Sequence, residues 1–316
     1  MTEYFIKRLL FAVVGLLLTT FIVFGLVRLI PGDAAQVIQG TVARSPEQIK
    51  AARHELRLDQ PWYTEYFHWL GKVVQGNLGK SFYSNKPVTS TVRQALPVSV
   101  ELAALSMVIA TMIAIPAGII CASRQETWID YVLRLFSVAG LSIPSFFLGE
   151  LLIALPAIWW KWAPPGRGYV SLISDPWVNF QQFILPAAAL GLAFSAGLLR
   201  ITRSSMLDVL RQDYVRTARA KGLRQGAVIT RHALKNALIP VVTLFGIQLG
   251  AILGGTVIIE TIFRLPGLGQ YTFSAISNRD YPVLQGNVLI FAAGFLLINL
   301  VIDLSYGLID PRIHYA

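Results

Sequence analysis

Six stretches of the chain run long without a charge. In chain order they are Leu9–Val27 (19 residues), Leu102–Ala122 (21), Leu135–Gly149 (15), Phe183–Leu199 (17), Asn236–Ile259 (24) and Tyr281–Ile302 (22). The third resumes beyond Glu150 for ten more uncharged residues to Trp160. A helix rises about 1.5 Å per residue, so a hydrocarbon core of about 30 Å takes about 20 apolar residues. Only the third and fourth runs need help from their flanks. A helix pairs its own backbone groups, as the lipid interior requires. The pattern predicts an all-α, polytopic membrane protein with six transmembrane helices.

Composition points the same way. Of the 316 residues, 54% are hydrophobic and 14% charged, and mean hydropathy is +0.58. Soluble chains carry roughly 25% charge. Intrinsic disorder, collagen, coiled coil and a disulfide-stapled secreted fold are excluded. The single cysteine, Cys121, allows no intrachain disulfide and reads as a small buried apolar residue. Lys7 and Arg8 precede the first run as in a signal peptide, but the run is long, and Pro31, Gly32 and Asp33 follow it without a small-x-small cleavage site. It reads as a retained anchor.

Charge sets the orientation. Residues Arg200–Lys235, between the fourth and fifth spans, hold nine cations (Arg200, Arg203, Arg211, Arg216, Arg219, Lys221, Arg224, Arg231 and Lys235) against Asp208 and Asp213. The short loops on the other side hold four: Lys161, Arg167, Arg264 and Arg279. The loop from Pro31 to Pro97 has eight, but at 67 residues it is too long for the positive-inside rule to weigh heavily. Both termini and the basic loop are therefore expected in the cytoplasm. The net charge of +10 is mostly topology, and nucleic acid is not an expected partner. The chain divides into residues 1–30, tail and first span; 31–97, an external loop with short helices; and 98–316, a five-helix core carrying the cytoplasmic loop 200–237.

Catalytic chemistry is not visible. His54, His68, His232 and His314 share no helical turn, and no cysteine pair exists, so no metal cluster assembles from the sequence. Gly79, Lys80 and Ser81 offer half of a phosphate-binding loop, but Val74 stands where its first glycine belongs. Ionisable residues in or beside the spans reduce to Glu101, Arg134, Glu150 and Asp303, with Arg134 and Asp303 at similar depth and able to pair. A transporter without an energy source of its own runs on a gradient or borrows a motor.

The loop after the fourth span is the most informative segment. Met206, Leu207, Leu210, Tyr214, Val215 and Ala218 recur at helical spacing opposite a basic face. Thr217, Ala218, Arg219, Ala220, Lys221 and Gly222 then read as a short helix stopped by glycine. Such a helix either lies on anionic headgroups or inserts into a partner's cleft, and its small residues and glycine stop suit close docking better. Asp213 to Leu223 (DYVRTARAKGL) followed by Arg231 to Pro240 (RHALKNALIP) resembles the cytoplasmic loop of ABC-importer permeases of the dipeptide/oligopeptide/nickel family. Arg28 to Asp33 (RLIPGD), Leu141 to Phe147 (LSIPSFF), Glu260 to Gly269 (ETIFRLPGLG), Arg279 to Pro282 (RDYP) and Asp310 to Ile313 (DPRI) look like the same family. A first span leading into a long external loop resembles its B-type subunit. Against the general permease loop pattern, Arg216 and Thr217 replace Glu and Ala, and His232 and Lys235 replace Ile and Pro.

The resemblance implies a type I importer permease fold and a non-enzymatic role in peptide import. The implied partners are a second, C-type permease, one or two ATPase subunits, an extracytoplasmic binding protein and membrane lipid. It implies that ATP and Mg are used by the ATPase subunits, with no cofactor on this chain. Asp213, Tyr214, Arg216, Thr217, Ala218, Arg219, Ala220, Lys221 and Gly222 would couple to the motor from a bacterial inner membrane. Nickel chelates, glutathione and oligosaccharides are alternative cargoes, and a gradient-driven transporter is the rival class. Gly246, Gly250 and Gly254 form a four-residue stripe on the fifth span, suited to a helix interface or a pathway wall. Pro116, Pro144, Pro186 and Pro240 lie in or at the ends of spans, and Ser142 and Ser145 beside Pro144 place hydroxyls in the membrane. They either line a polar route or satisfy freed carbonyls. A capped helix is expected from Ser45 to about Arg57. The aromatic stretch Pro61–Val74 fits an interfacial belt or a platform for the binding protein. Pro266–Pro282 is a candidate gate segment.

Overall fold

The computed structural model describes residues 2–29, 60–166 and 168–309, and among these the chain is built of helices with one isolated bridge, Lys80 to Pro87. The capped helix expected at Ser45–Arg57 and the motifs Arg28–Asp33 and Asp310–Ile313 fall wholly or largely outside the described residues. In chain order the helices are α1 (Thr2–Leu29), α2 (Trp62–Val74), α3 (Val88–Ser123), α4 (Trp128–Ser142), α5 (Ser145–Trp160), α6 (Pro176–Leu210), α7 (Asp213–Ala220), α8 (Leu234–Phe263), α9 (Leu268–Ser277) and α10 (Tyr281–Ile309). A short turn, Gln225–Ala227, and a π-helical turn, Val228–Ala233, lead into α8.

Among the described residues, five helices are long and apolar enough to cross a membrane, and a sixth crossing exists if α4 and α5 count as one. Here the expected third span needs correction. It is not one helix from Leu135 to Trp160 but two, starting at Trp128 and meeting at 102°. Pro144 is the cause: it brings no N–H, and it forces Ile143 before it into extended backbone (φ −86°, ψ 120°). Pro97, Pro116, Pro156, Pro186 and Pro240 remain inside helices.

The core lies where α3, α6 and α8 pack together, around Leu102, Met107, Phe183, Leu190, Leu198, Val241, Ile252 and Ile259. Small residues set how closely these helices approach. A Cβ on Gly118 would fall 2.6 Å from Thr202 Cβ, and one on Gly191 would fall 2.8 Å from Ile109 Cβ and 2.9 Å from the Ser106 carbonyl. The α3–α6 crossing is thus made backbone to side chain, with no room for a methyl group. Two smaller clusters cap the bundle. At one end Met206, Leu210, Val215, Ala218, Val228, Ala233 and Ala237 join the basic loop to α6 and α8. At the far end Val88, Val92, Ala95, Leu268, Ala275 and Val283 seat α9 against α3 and α10. Beside the bundle, α2 leans on α1 through Tyr66, whose hydroxyl meets Thr20 Oγ1 at 2.9 Å and whose ring meets Phe21 and Phe24 edge-on.

Candidate functional site

The basic loop folds into a compact knob. α7 begins at Asp213 and ends at Ala220, four residues ahead of the start expected at Thr217. Gln212 in extended backbone precedes it, and Asp213 in the first turn suits the positive end of the helix dipole. Arg216 Nη1 reaches Asp213 Oδ1 at 3.3 Å on the open surface. Gly222 stops the helix. It lies in left-handed backbone at φ +79°, and its N–H donates to the Arg219 carbonyl at 2.9 Å.

The two sides of α7 differ. Val215 and Ala218 are buried against Met206, Leu210 and Val228, so Ala218 belongs to the seat of the helix. Asp213, Tyr214, Arg216, Thr217, Arg219, Ala220, Lys221 and Gly222 are exposed. Asn236 Nδ2, one turn into α8, donates to the Tyr214 hydroxyl at 2.8 Å. The knob therefore has an apolar underside fastened to α6 and α8 and a basic, hydroxyl-bearing outer surface.

Beneath the knob sits a buried ion pair that the reading of the spans missed. Asp130, in the first turn of α4, is fully buried. Arg203 of α6 binds it in a fork, Nε to Oδ1 at 2.8 Å and Nη2 to Oδ2 at 2.9 Å. The Glu126 N–H adds a third bond at 3.1 Å. Arg134 places Nε 3.7 Å from Asp130 Oδ1 and stacks 4.6 Å over the Tyr131 ring, and its candidate pairing with Asp303 falls on a side chain outside the described residues. Cys121 is buried, as expected, and its thiol points at the Asp130 carbonyl.

The candidate pathway residues do not come together as one surface. Gly246 packs on Ile302 and Gly250 on Phe295, both of α10, whereas Gly254 faces open space. Ser142 donates to the Val138 carbonyl of its own helix at 2.9 Å, Pro144 is exposed, and Ser145 is half-buried. Glu150 is exposed on α5. Glu101 accepts from the Tyr169 hydroxyl at 2.8 Å and from Asn179 Nδ2 at 2.6 Å, which fastens the 161–175 connection to α3 and α6. Burial and this carboxylate push the Tyr169 phenol up to about 12.

The far end holds a second buried acid, Glu260, which directly follows the uncharged run of the fifth span and stands outside the four ionisable residues named from the sequence. Ser99 Oγ donates to it at 2.7 Å. Nearby, buried Asp280 accepts from Ser81 Oγ at 2.5 Å and from the Phe82 N–H at 3.0 Å, so the Gly79–Ser81 stretch is a structural tie. The signal available for Glu260 was its place at the head of a Glu-x6-Gly-x-Gly pattern, in which Gly267 and Gly269 clear space for it.

Two family models match the chain. Residues 114–315 match the binding-protein-dependent transport system inner membrane component, and residues 1–103 match the N-terminal part of such membrane components. The glutathione transport system permease protein GsiC of Escherichia coli O6:H1 (strain CFT073) is 41% identical over 315 residues, covering all of both chains. The dipeptide transport system permease protein DppB of Alkalihalophilus pseudofirmus is 41% identical over 334 aligned positions, again covering all of both. Among solved structures, an inward-facing MetNI methionine ABC transporter chain superposes with a TM-score of 0.57 at 14% identity, covering 70% of this chain and 96% of that one.

Proposed function

The chain belongs to the family of binding-protein-dependent transport system inner membrane components, and from that premise we propose how it works. It is a multi-pass inner-membrane permease subunit of an ABC importer, a transporter rather than a catalyst. In our reading the cargo is a short peptide. The dipeptide and glutathione relatives are equally similar, and glutathione is itself a small peptide with one unusual linkage. The basic end faces the cytoplasm, because the cations gather there.

One observation carries the coupling mechanism: α7 is fastened from below by Val215 and Ala218 while its basic outer surface is free. A separate ATPase subunit grips that surface, using the exposed cations Arg216, Arg219 and Lys221 for electrostatic fit and Thr217 and Ala220 for close approach. ATP and Mg act on the ATPase, not on this chain. Closure of the ATPase pair moves α7, and the rigid seat passes the movement to α6 and α8 as a body. A companion C-type permease completes the pathway, and an external binding protein delivers the peptide.

The test is reconstitution in lipid vesicles. The chain with its companion permease, ATPase and binding protein accumulates peptide only with ATP. Replacing Arg216 and Arg219 together by Glu leaves insertion intact and removes uptake. Uphill accumulation by this chain alone would refute the reading.

A further inference from the structure

At the far end of the bundle one acid ties three helices together. Glu260 is fully buried near the C-terminal end of α8. Its Oε1 accepts from Ser99 Oγ of α3 at 2.7 Å, and its Oε2 accepts from the Gln270 N–H at 3.0 Å. Ser99 Oγ in turn accepts from the Leu268 N–H at 2.9 Å. Two of the first amides of α9, which no intrahelical carbonyl can satisfy, thus go to this clasp, Leu268 to Ser99 and Gln270 to Glu260. The seat has no slack. A Cβ on Gly269 would fall 2.5 Å from Val257 Cα and 2.8 Å from Glu260 Oε2, and one on Gly267 would meet the carboxyl group itself. From the other side Asn287 of α10 donates to Thr272 Oγ1 of α9 at 3.0 Å.

The opposite end of α8 is built into the knob. Ala233 and Ala237 pack with Val215 and Ala218, and Asn236 holds Tyr214. Between these ends α8 runs unbroken for 30 residues, about 45 Å at about 1.5 Å per residue. One rod therefore has α7 fixed to one end and α9 fixed to the other. The fixings are of different kinds. The knob is held mainly by apolar packing with the Asn236–Tyr214 bond beside it, whereas α9 is held by directed hydrogen bonds to the buried Glu260 carboxyl and to Ser99.

We propose that Glu260 is the positioning residue that makes α9 follow α8, so that displacement of α7 by the motor reaches the external mouth, and events at the mouth reach the motor. This rests on the importer reading above and deepens it. Linkage requires the reciprocity: what biases α9 from outside biases α7 to the same degree. Ser99 is the second member of the clasp, because it bonds both the acid and α9.

The experiment uses the complete complex in lipid, with ATPase activity counted per assembled complex, without and with peptide-loaded binding protein. Glu260→Gln keeps the size of the side chain but turns an amide N–H toward backbone donors. Basal ATPase per complex is expected to stay unchanged, while stimulation by the loaded binding protein and peptide uptake both fall about tenfold. Ser99→Ala, which removes one hydroxyl from an otherwise unaltered helix, is expected to shift both in the same direction by less, and it decides the matter should Glu260→Gln assemble poorly. A stimulation ratio equal to wild type in the assembled variants, with only the amount of complex reduced, overturns the proposal and makes the acid a purely structural tie. A wild-type complex that shows no stimulation at all overturns the importer reading instead, and the clasp with it.

Discussion

Replacing Arg203 by Met should destabilise the loop end of the bundle by about 3 kcal/mol. The figure follows from what the change strands. Asp130 is wholly buried, and with Arg203 gone it keeps the Glu126 N–H at 3.1 Å and loses the fork. Breaking one side of a buried pair costs about 3–5 kcal/mol. Arg134 sets the result at the lower end: its side chain is 43% exposed and its Nε already lies 3.7 Å from Oδ1, close enough to swing in. The reverse change is milder. In Asp130→Asn the arginine left behind is 19% exposed and reaches water, so the loss is nearer the worth of charge-assisted bonds, about 1.5–3 kcal/mol. The double variant Asp130→Asn/Arg203→Met should therefore be more stable than Arg203→Met alone, because no buried charge remains. Reversible unfolding in mixed micelles, followed by tryptophan fluorescence, measures all four corners of the cycle. Two results would refute the reasoning: a loss under about 1 kcal/mol for Arg203→Met, which is the scale of an exposed pair, or simple additivity in the double variant.

Three further outcomes test other parts of the fold. Gly118→Ala forces a methyl group against Thr202 and should lower stability by about 1–3 kcal/mol, whereas Gly254→Ala, with open space at its Cβ, should be near neutral in the same unfolding assay. Tyr169 should ionise near pH 12 by phenolate absorbance, measured as the difference from Tyr169→Phe; because the folded state holds this proton above the unfolded value of about 10, its contribution is complete below pH 10 and is lost as pH rises toward 12. The outer side of α2 exposes Trp62 (53%) and Phe67 (68%) beside the apolar surface of α1, so brominated lipid should quench Trp62, and unchanged Trp62 fluorescence would place that helix away from the bilayer.

Uncharged runs place every span but the broken third because the membrane imposes a length, and the basic loop is legible because spacing and charge are local properties. Pro144 was visible as a residue, but not as a 102° break, since the angle depends on what α4 and α5 pack against; Gly140 against Ala196 and Gly149 against Ile259 settle it in space. The sequence puts the start of α7 four residues late because the apolar spacing through Tyr214 and Val215 continues that of α6, and no strong breaker marks the turn at Arg211 and Gln212. The buried acids were hidden for another reason. Asp130 meets Arg203 across 73 positions and Glu260 meets Ser99 across 161, and neither separation leaves a local pattern.

These two acids occupy complementary places. Between them the helices meet through apolar side chains and glycines that admit close approach, Gly118 facing Thr202 and Gly191 facing Ile109. A slip of α6 by one turn, about 5.4 Å, would carry Arg203 out of reach of Asp130 and leave a charge buried without its partner. A slip of α8 would carry Glu260 away from Ser99 and strip the Gln270 amide of its acceptor. The apolar core thus supplies the cohesion, while directed polar contacts at the two ends, Asp130 with Arg203 and Glu260 with Ser99, fix which arrangement of the rods is populated. A machine that works by moving helices as bodies needs that division, because force applied at α7 is useful only if the rods neither slip nor separate before it arrives.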